Sequence, residues 1–449
     1  MRKGAGLILM FLVLLTNCTR KKDGSGVQKP IALKTAKTVN WVGHWKGEGS
    51  KEKLVKEIYR EFSFENPEIN VNLVFPQDSK TGNSSSDYIV AQLRAPKSDW
   101  DILWINDNYG PISEIMKEDN WPSKYLVDFM QYPEFVNAYA STQVLNNAKK
   151  KWNGIVPGPG IDGISYMLWC NDAVAKKIGI EPKQFDNTPS DLKTYFKAVN
   201  DYNTKNNTDI IPLLVDNEGW SPRNVLMQQL FASQVNDTTL LNNSTFGSEK
   251  FDAWKAVINA LEELSQYKPL PAEWRKKTWS EATKDAISGK CLFYVHASYM
   301  YNLWYTSDSA ATKNMYPVEL PSLKPAQSYI SEYRIPWAIP KNSPNRDEAI
   351  KLLLYWCRPS VADRWVRYTK SPSPIKGNFV NSTFSKDKFE AFDFMINKKY
   401  GNSKYNLGGN EYYFGPNHAG VNPYFFEVLE GSVSAKEAIS IVGRKLGRN

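Results

Sequence analysis

Cysteine and histidine are scarce in this 449-residue chain, with four of the first and three of the second. Cys18, Cys170, Cys291 and Cys357 lie far apart, so no two make a zinc-binding pair and no dense disulfide framework is possible. At most one disulfide can join Cys170, Cys291 and Cys357, and the simplest reading makes them small buried hydrophobes. His44, His296 and His418 are equally dispersed, so no metal site and no cofactor is expected. The chain also lacks a nucleophile elbow, a phosphate loop, an internal repeat and any low-complexity tract. Its formal charge of +9 is not concentrated either. The longest basic runs are Arg20-Lys21-Lys22, Lys149-Lys150-Lys151 and Arg275-Lys276-Lys277. A nucleic-acid backbone needs a continuous positive footprint, so nucleic acid is excluded as a partner.

What the chain does have is bulk and aromatic rings. Its length exceeds one ordinary core, which predicts two lobes. Aromatic residues make up 13 %, including 15 Trp and 24 Tyr, more than cores alone require, so some rings are expected to face a ligand. At the N-terminus, Arg2 and Lys3 precede an apolar stretch from Leu7 to Leu15, the pattern of a secretory signal too short to span a bilayer stably. The stretch ends in Leu15-Thr16-Asn17-Cys18, which resembles a bacterial lipobox, with Asn17 where a small residue is usual. Residues 1–17 then read as a signal peptide and 18–38 as a lipid anchor at Cys18 with a polar tether. The alternative is a plain secretory signal with an incidental cysteine. Either way the protein is expected outside the cytoplasm, and the lipobox reading ties it to a bacterial membrane, facing the periplasm or the cell exterior.

Along the body, VNWVGHW reads as a buried strand. Leu54, Ile58 and Phe62 follow at four-residue spacing, the apolar stripe of a helix that Asn66-Pro67 stops. INVNLVF alternates as a second strand, completing a β-α-β unit. A helix through Tyr88–Leu93 and the short strand in DWDILWIND come next. Beyond the Gly- and Pro-rich GIVPGPGIDG, the strand ISYMLWCND, a helix from Ser190 to Tyr202, the strand IIPLLV, and helices at Val225–Phe231 and Phe251–Leu264 are expected. A strand restarts near Cys291, RIPWAIP forms another, and a helix runs from Arg346 to Cys357. The alternation predicts an α/β protein with an open, largely parallel sheet and a ligand beyond the carboxyl ends of its strands.

Taken together, VNWVGHWKGEG, NPEINVNLVF, DWDILWIND, the stretch from WNGIVPGPGIDG to DLKTYFKAV, DAISGKCLFYVHASYMYNLW and WAIPKNSPNRDEAIKLLLYWCRPSVADRW resemble, in this order, a known group. They are similar to the extracellular solute-binding proteins of ATP-driven sugar importers, the group that includes maltose-binding protein. The resemblance covers nearly the whole chain after the tether. It departs at Cys170-Asn171-Asp172, where Tyr-Asn usually precedes the acid, and at Cys291, where a small Ala is usual. It implies two α/β lobes of the periplasmic-binding-protein fold with a ligand cleft between them. Crossings are expected near Ile155–Pro157, His296–Ala297 and Trp337–Pro340. Residues 39–156 with about 297–337 would form the first lobe, and 157–296 with about 338–449 the second. A monomer that passes a carbohydrate to a membrane permease is implied.

Sugar recognition needs flat rings against pyranose faces and planar polar groups for hydroxyls. Matching the segments puts His44, Trp45 and Lys46 after the first strand, and Asn106, Asp107 and Asn108 after DILWI, on the first-lobe wall. Asp162, Glu218, Trp220, His296 and Tyr299 are the second-lobe candidates, and Tyr412, Tyr413, Asn417 and His418 come from an aromatic, Gly- and Asn-rich segment before the C-terminal helix. Each has a plainer alternative: lobe packing for Trp220 and Tyr299, an Asx turn for Asp162, hinge packing for the last group. Trp254, Trp356 and Trp365 sit on helical stripes and read as core. No residue is assigned a catalytic role. An exported glycoside hydrolase, with paired carboxylates in such a cleft, is the rival from another class. A sensor of the same fold that presents its ligand to a receptor is a third reading.

Overall fold

The computed structural model describes residues 36–447, apart from 47, 77–81, 107, 140–141, 219–221, 236–245, 326–330, 370, 372 and 378–422. The chain opens with β1 (Lys37–Val42), α1 (Ser50–Glu65) and β2 (Ile69–Val74), and β1 pairs parallel to β2 from Lys37–Ile69 to Val42–Val74. Leu54, Val55, Ile58 and Phe62 bury one face of α1, and its last turn is closed by Asn66, whose side-chain amide donates to the Phe62 carbonyl at 2.7 Å. After α2 (Ser86–Arg94), Trp41 bridges Ile102, and β3 (Leu103–Trp104) pairs antiparallel with β9 (Trp337–Ala338). The helix α3 (Tyr109–Met116) follows β3. The first lobe is thus a small sheet with β1 at its centre, and its core joins residues from Val39 to Ile161 with residues from Ile335 to Ile375.

Five tryptophans thicken this core. Trp41 meets Trp337 edge-on with centroids 4.8 Å apart, Trp337 meets Trp356 at 5.1 Å, and Trp365 meets Trp45 at 4.7 Å. Such contacts add roughly 0.5–1.5 kcal/mol each beyond area burial.

The second lobe is built on β4 (Asp162–Asn171), all ten of whose residues are buried. A strand buried on both faces reads as a continuous apolar run. Ile164, Tyr166, Leu168 and Cys170 face one helical layer, while Met167 and Trp169 face another. The first layer includes the helices Pro189–Asn206, Val225–Ala232 and Ser248–Ser265; the second includes Trp279–Ile287 and Met300–Ser307. The sheet runs β5 (Ile211–Leu214), β6 (Cys291–Ala297), β4, β7 (Met315–Val318), with β8 (Ser331–Arg334) pairing the first half of β4.

Two expectations need correction. This sheet is not largely parallel: only β5–β6 is, whereas β4 runs antiparallel to β6, β7 and β8. The reason is that β4 leaves the junction between lobes while β6 and β8 return toward it, so they must run in opposite directions. The lobe allocation also differs. After Ala297 the chain stays with the second lobe through Leu320 and rejoins the first core only at Ile335, so most of 297–337 packs on the lobe not expected for it. The stretch from Ala338 to Val366, and again Ile375, likewise belongs with the first core, because Trp356 and Trp365 complete its tryptophan cluster. The helices Pro423–Leu429 and Ala435–Lys445 do pack on the second. Cys170, Cys291 and Cys357 are buried thiols that form no disulfide with one another.

Candidate functional site

A cleft of about 460 Å³ lies between the lobes, lined by His44, Trp45, Glu48, Lys51 and Asn106 from the first and Asp162, Ile164, Tyr166, Pro222, Trp279, Tyr299, Leu303 and Arg334 from the junction and the second. That size falls in the range of small-molecule sites, roughly 300–1,000 Å³. His44 and Trp45 follow the carboxyl end of β1, Asn106 that of β3 and Tyr299 that of β6, as an α/β sheet requires. Asp162, Ile164 and Tyr166 come instead from the amino end of β4, a direct consequence of its reversed direction.

The backbone under the site is unusual. Trp45 has φ 63° and Asn106 φ 23°. A bulky residue in the left-handed region costs on the order of 1–3 kcal/mol and persists only where its surroundings hold it. Here Trp45 is wedged against Trp365 and against Trp337, 5.5 Å away, with the Lys51 ammonium 5.7 Å from its ring centre.

His44 is held as a neutral ring. Burial pushes its pKa well below the ordinary value, and the nearby Lys51 and Arg334 charges push the same way. Trp104 Nε1 donates to His44 Nδ1 at 2.5 Å, which leaves the proton on Nε2 and makes that nitrogen a donor. Burial raises the Glu48 carboxyl above its usual range and Asp162 adds to the effect, against the opposing pull of Lys51 and Arg334. Lys51 pairs with Asp162, Nζ to Oδ2, at 3.0 Å; the two side chains are 3 % and 5 % exposed. The other Asp162 oxygen, Oδ1, is buried and accepts no hydrogen bond from the described residues, and neither does Asn106 Oδ1. A buried acceptor left unmade costs about 1–3 kcal/mol, so both are open to donors beyond the described residues.

Of the residues anticipated from sequence, His44, Trp45, Asn106, Asp162 and Tyr299 line the cleft. Lys46 is exposed beside it and Asn108 starts α3, neither on the wall. His296 is fully buried behind Tyr299, edge to face at 5.4 Å, and burial pushes its pKa down to about 3. Glu218 also stands off the wall; its carbonyl accepts from Arg223 at 2.7 Å. Asp107, Trp220, Tyr412, Tyr413, Asn417 and His418 lie outside the described residues, as do Cys18 and the whole leader.

Glu48, Lys51, Tyr166, Trp279 and Arg334 were not anticipated. Glu48 and Lys51 had a signal, since they continue the polar segment after β1 into the start of α1. Tyr166 was hidden in an apolar run. Arg334 comes to the site only because β8 pairs with β4, opposite Asp162.

The sequence matches the profile of bacterial extracellular solute-binding proteins over residues 58–391. No individually curated protein matches it significantly. Among solved structures, a probable secreted solute-binding lipoprotein from Streptomyces coelicolor superposes with a TM-score of 0.65 at 14 % identity, covering 92 % of this chain and 98 % of its own. Maltose-bound MalE3 from T. maritima gives 0.61 at 14 %, covering 92 % and 99 %. A sugar transporter from Bacillus licheniformis in complex with stachyose gives 0.54 at 15 %, covering 91 % and 98 %. At such low identities these likenesses speak for the fold, and it is the profile, spanning most of the chain, that assigns the protein to the bacterial extracellular solute-binding family.

Proposed function

We propose that this protein captures an extracellular carbohydrate in the cleft between its lobes and delivers it, on lobe closure, to an ATP-driven importer. The observation that carries this reading is the cleft wall itself. Two buried acceptors without partners among the described residues, Asp162 Oδ1 and Asn106 Oδ1, stand among the rings of Trp45, Tyr166, Trp279 and Tyr299. Hydroxyl donors and apolar ring faces in one small ligand are the chemistry of a sugar. The maltose and stachyose bound to proteins of the same fold favour the same class. Binding is preferred to hydrolysis because the family is one of binding proteins. Attachment to the membrane through Cys18 and a monomeric state complete the proposal; among the described residues no helix is long and apolar enough to cross a membrane.

A thermal-shift screen over mono- and oligosaccharides tests it. One sugar or a related set should raise the melting temperature in a concentration-dependent way, because a ligand bound only by the native state stabilises it. A flat response to every sugar, with a shift from amino acids or peptides instead, overturns the carbohydrate reading. Recovery of a hydrolysed sugar after incubation would establish the glycosidase.

A further inference from the structure

Three consecutive residues at the start of α1 reach out of the first lobe. Gly49, with φ +48°, comes so close to the helix Met300–Ser307 that a Cβ placed on it would lie 3.1 Å from Thr306 Oγ1 and 3.8 Å from Thr306 Cβ. Ser50 Oγ donates to Asn302 Oδ1 at 2.5 Å, and Asn302 is 4 % exposed. Lys51 makes its buried ion pair with Asp162 at the amino end of β4, where the chain passes from one core to the other.

The partners belong to the other side. Asn302 and Thr306 are one turn apart on a helix whose Met300, Tyr301 and Trp304 pack against the second-lobe sheet. The α1 residues Leu54, Val55, Ile58 and Phe62 pack in the first. Side-chain capping is absent at Gly49, so the helix end is shaped for close approach and carries no cap of its own. The ion pair needs a dry junction: separating the lobes would return both charges to water and remove most of their attraction.

We infer that the first turn of α1, Gly49 to Lys51, is the latch that holds the two lobes together over the cleft, and that Lys51 is a positioning residue that occupies Asp162 Oδ2 and leaves Oδ1 facing the ligand. The inference rests on the sugar-capturing reading only for what fills the cleft; the contact itself does not depend on it.

The test uses the full chain with Gly49→Cys and Thr306→Cys. A Cβ separation of 3.8 Å is that of an ordinary disulfide. Mild oxidation should therefore join the two positions within one chain, seen as a reducible mobility shift and a linked peptide. The native thiols at Cys170, Cys291 and Cys357 are buried and should stay reduced. Adding Ser50→Ala should slow the cross-link about three- to tenfold, the loss expected for one hydrogen bond, and Lys51→Met should slow it further. A cysteine at Gly49 must adopt a left-handed backbone, so Ser50→Cys with Asn302→Cys carries the same test one residue along. If both pairs, folded in their reduced forms, resist cross-linking, or if Ser50→Ala leaves the rate unchanged, the latch is wrong. A cross-link in a protein that answers to no sugar would keep the latch and remove the carbohydrate reading.

Discussion

At the scale of single residues, the cleft separates rings that face a ligand from rings that hold the fold. Tyr299 is half-buried and on the wall, whereas Trp356 and Trp365 are each 1 % exposed within the first core. Tyr299→Ala should therefore weaken sugar binding by about 1–3 kcal/mol with little loss of stability, and Trp365→Ala should cost about 3–5 kcal/mol of stability. Calorimetric titration beside denaturant unfolding distinguishes them; a large unfolding penalty with unchanged affinity would move Tyr299 to the core. The sequence anticipated this division for both tryptophans because helical periodicity predicts a buried stripe. It could not for Trp279, which opens a helix after its Thr278 cap and reaches the cleft through the packing of that helix on the sheet.

The elements that cross between lobes impose the tightest steric limits. Gly158, just before β4, lies so close to β9 that a Cβ would sit 2.1 Å from the Trp337 carbonyl oxygen, a backbone atom that cannot rotate away. Gly158→Ala should thus push β9 from its place, destabilising the protein by about 1–3 kcal/mol or more. Urea unfolding would show it; a neutral result would mean that this approach is looser than described. Most elements were legible beforehand, since α1, β2, β4 and the long helices of the second lobe follow from local periodicity. Strand direction was not. Pairing of β4 with β6, β7 and β8 joins segments more than a hundred residues apart, and no local pattern encodes whether such partners run parallel.

For the molecule as a whole, the histidines predict how stability follows pH. His44 is half-buried and His296 fully buried, and desolvation lowers both pKa values, His296 to about 3, so both rings are neutral. The unfolded chain then binds more protons than the native one as pH falls below the ordinary histidine value of about 6.5, so stability is lost from there downward. Unfolding free energy should fall between pH 7 and pH 5, before most carboxylates titrate. His296→Phe should flatten that slope, even if it lowers stability throughout. An unchanged slope would show that His296 is protonated in the native state or does not matter to the balance.

The sequence by itself determined the α/β class, the two cores, the export signal as an expectation and the run of motifs that resembles one family. These are carried by local periodicity, composition and segment order, all of which survive without knowledge of tertiary contacts. Matching its segments to that family also pointed to His44, Trp45, Asn106 and Tyr299, and its Gly-rich crossover to Asp162. Only the tertiary structure decided that residues 300–320 stay with the second lobe while 338–366 return to the first, and that Lys51, Glu48 and Arg334 gather around Asp162. The physical reason is the same in each case. Burial of a strand or helix is favourable against any complementary apolar face, and which face it meets is settled by pairings between segments distant in the chain, whose free energies no single segment contains.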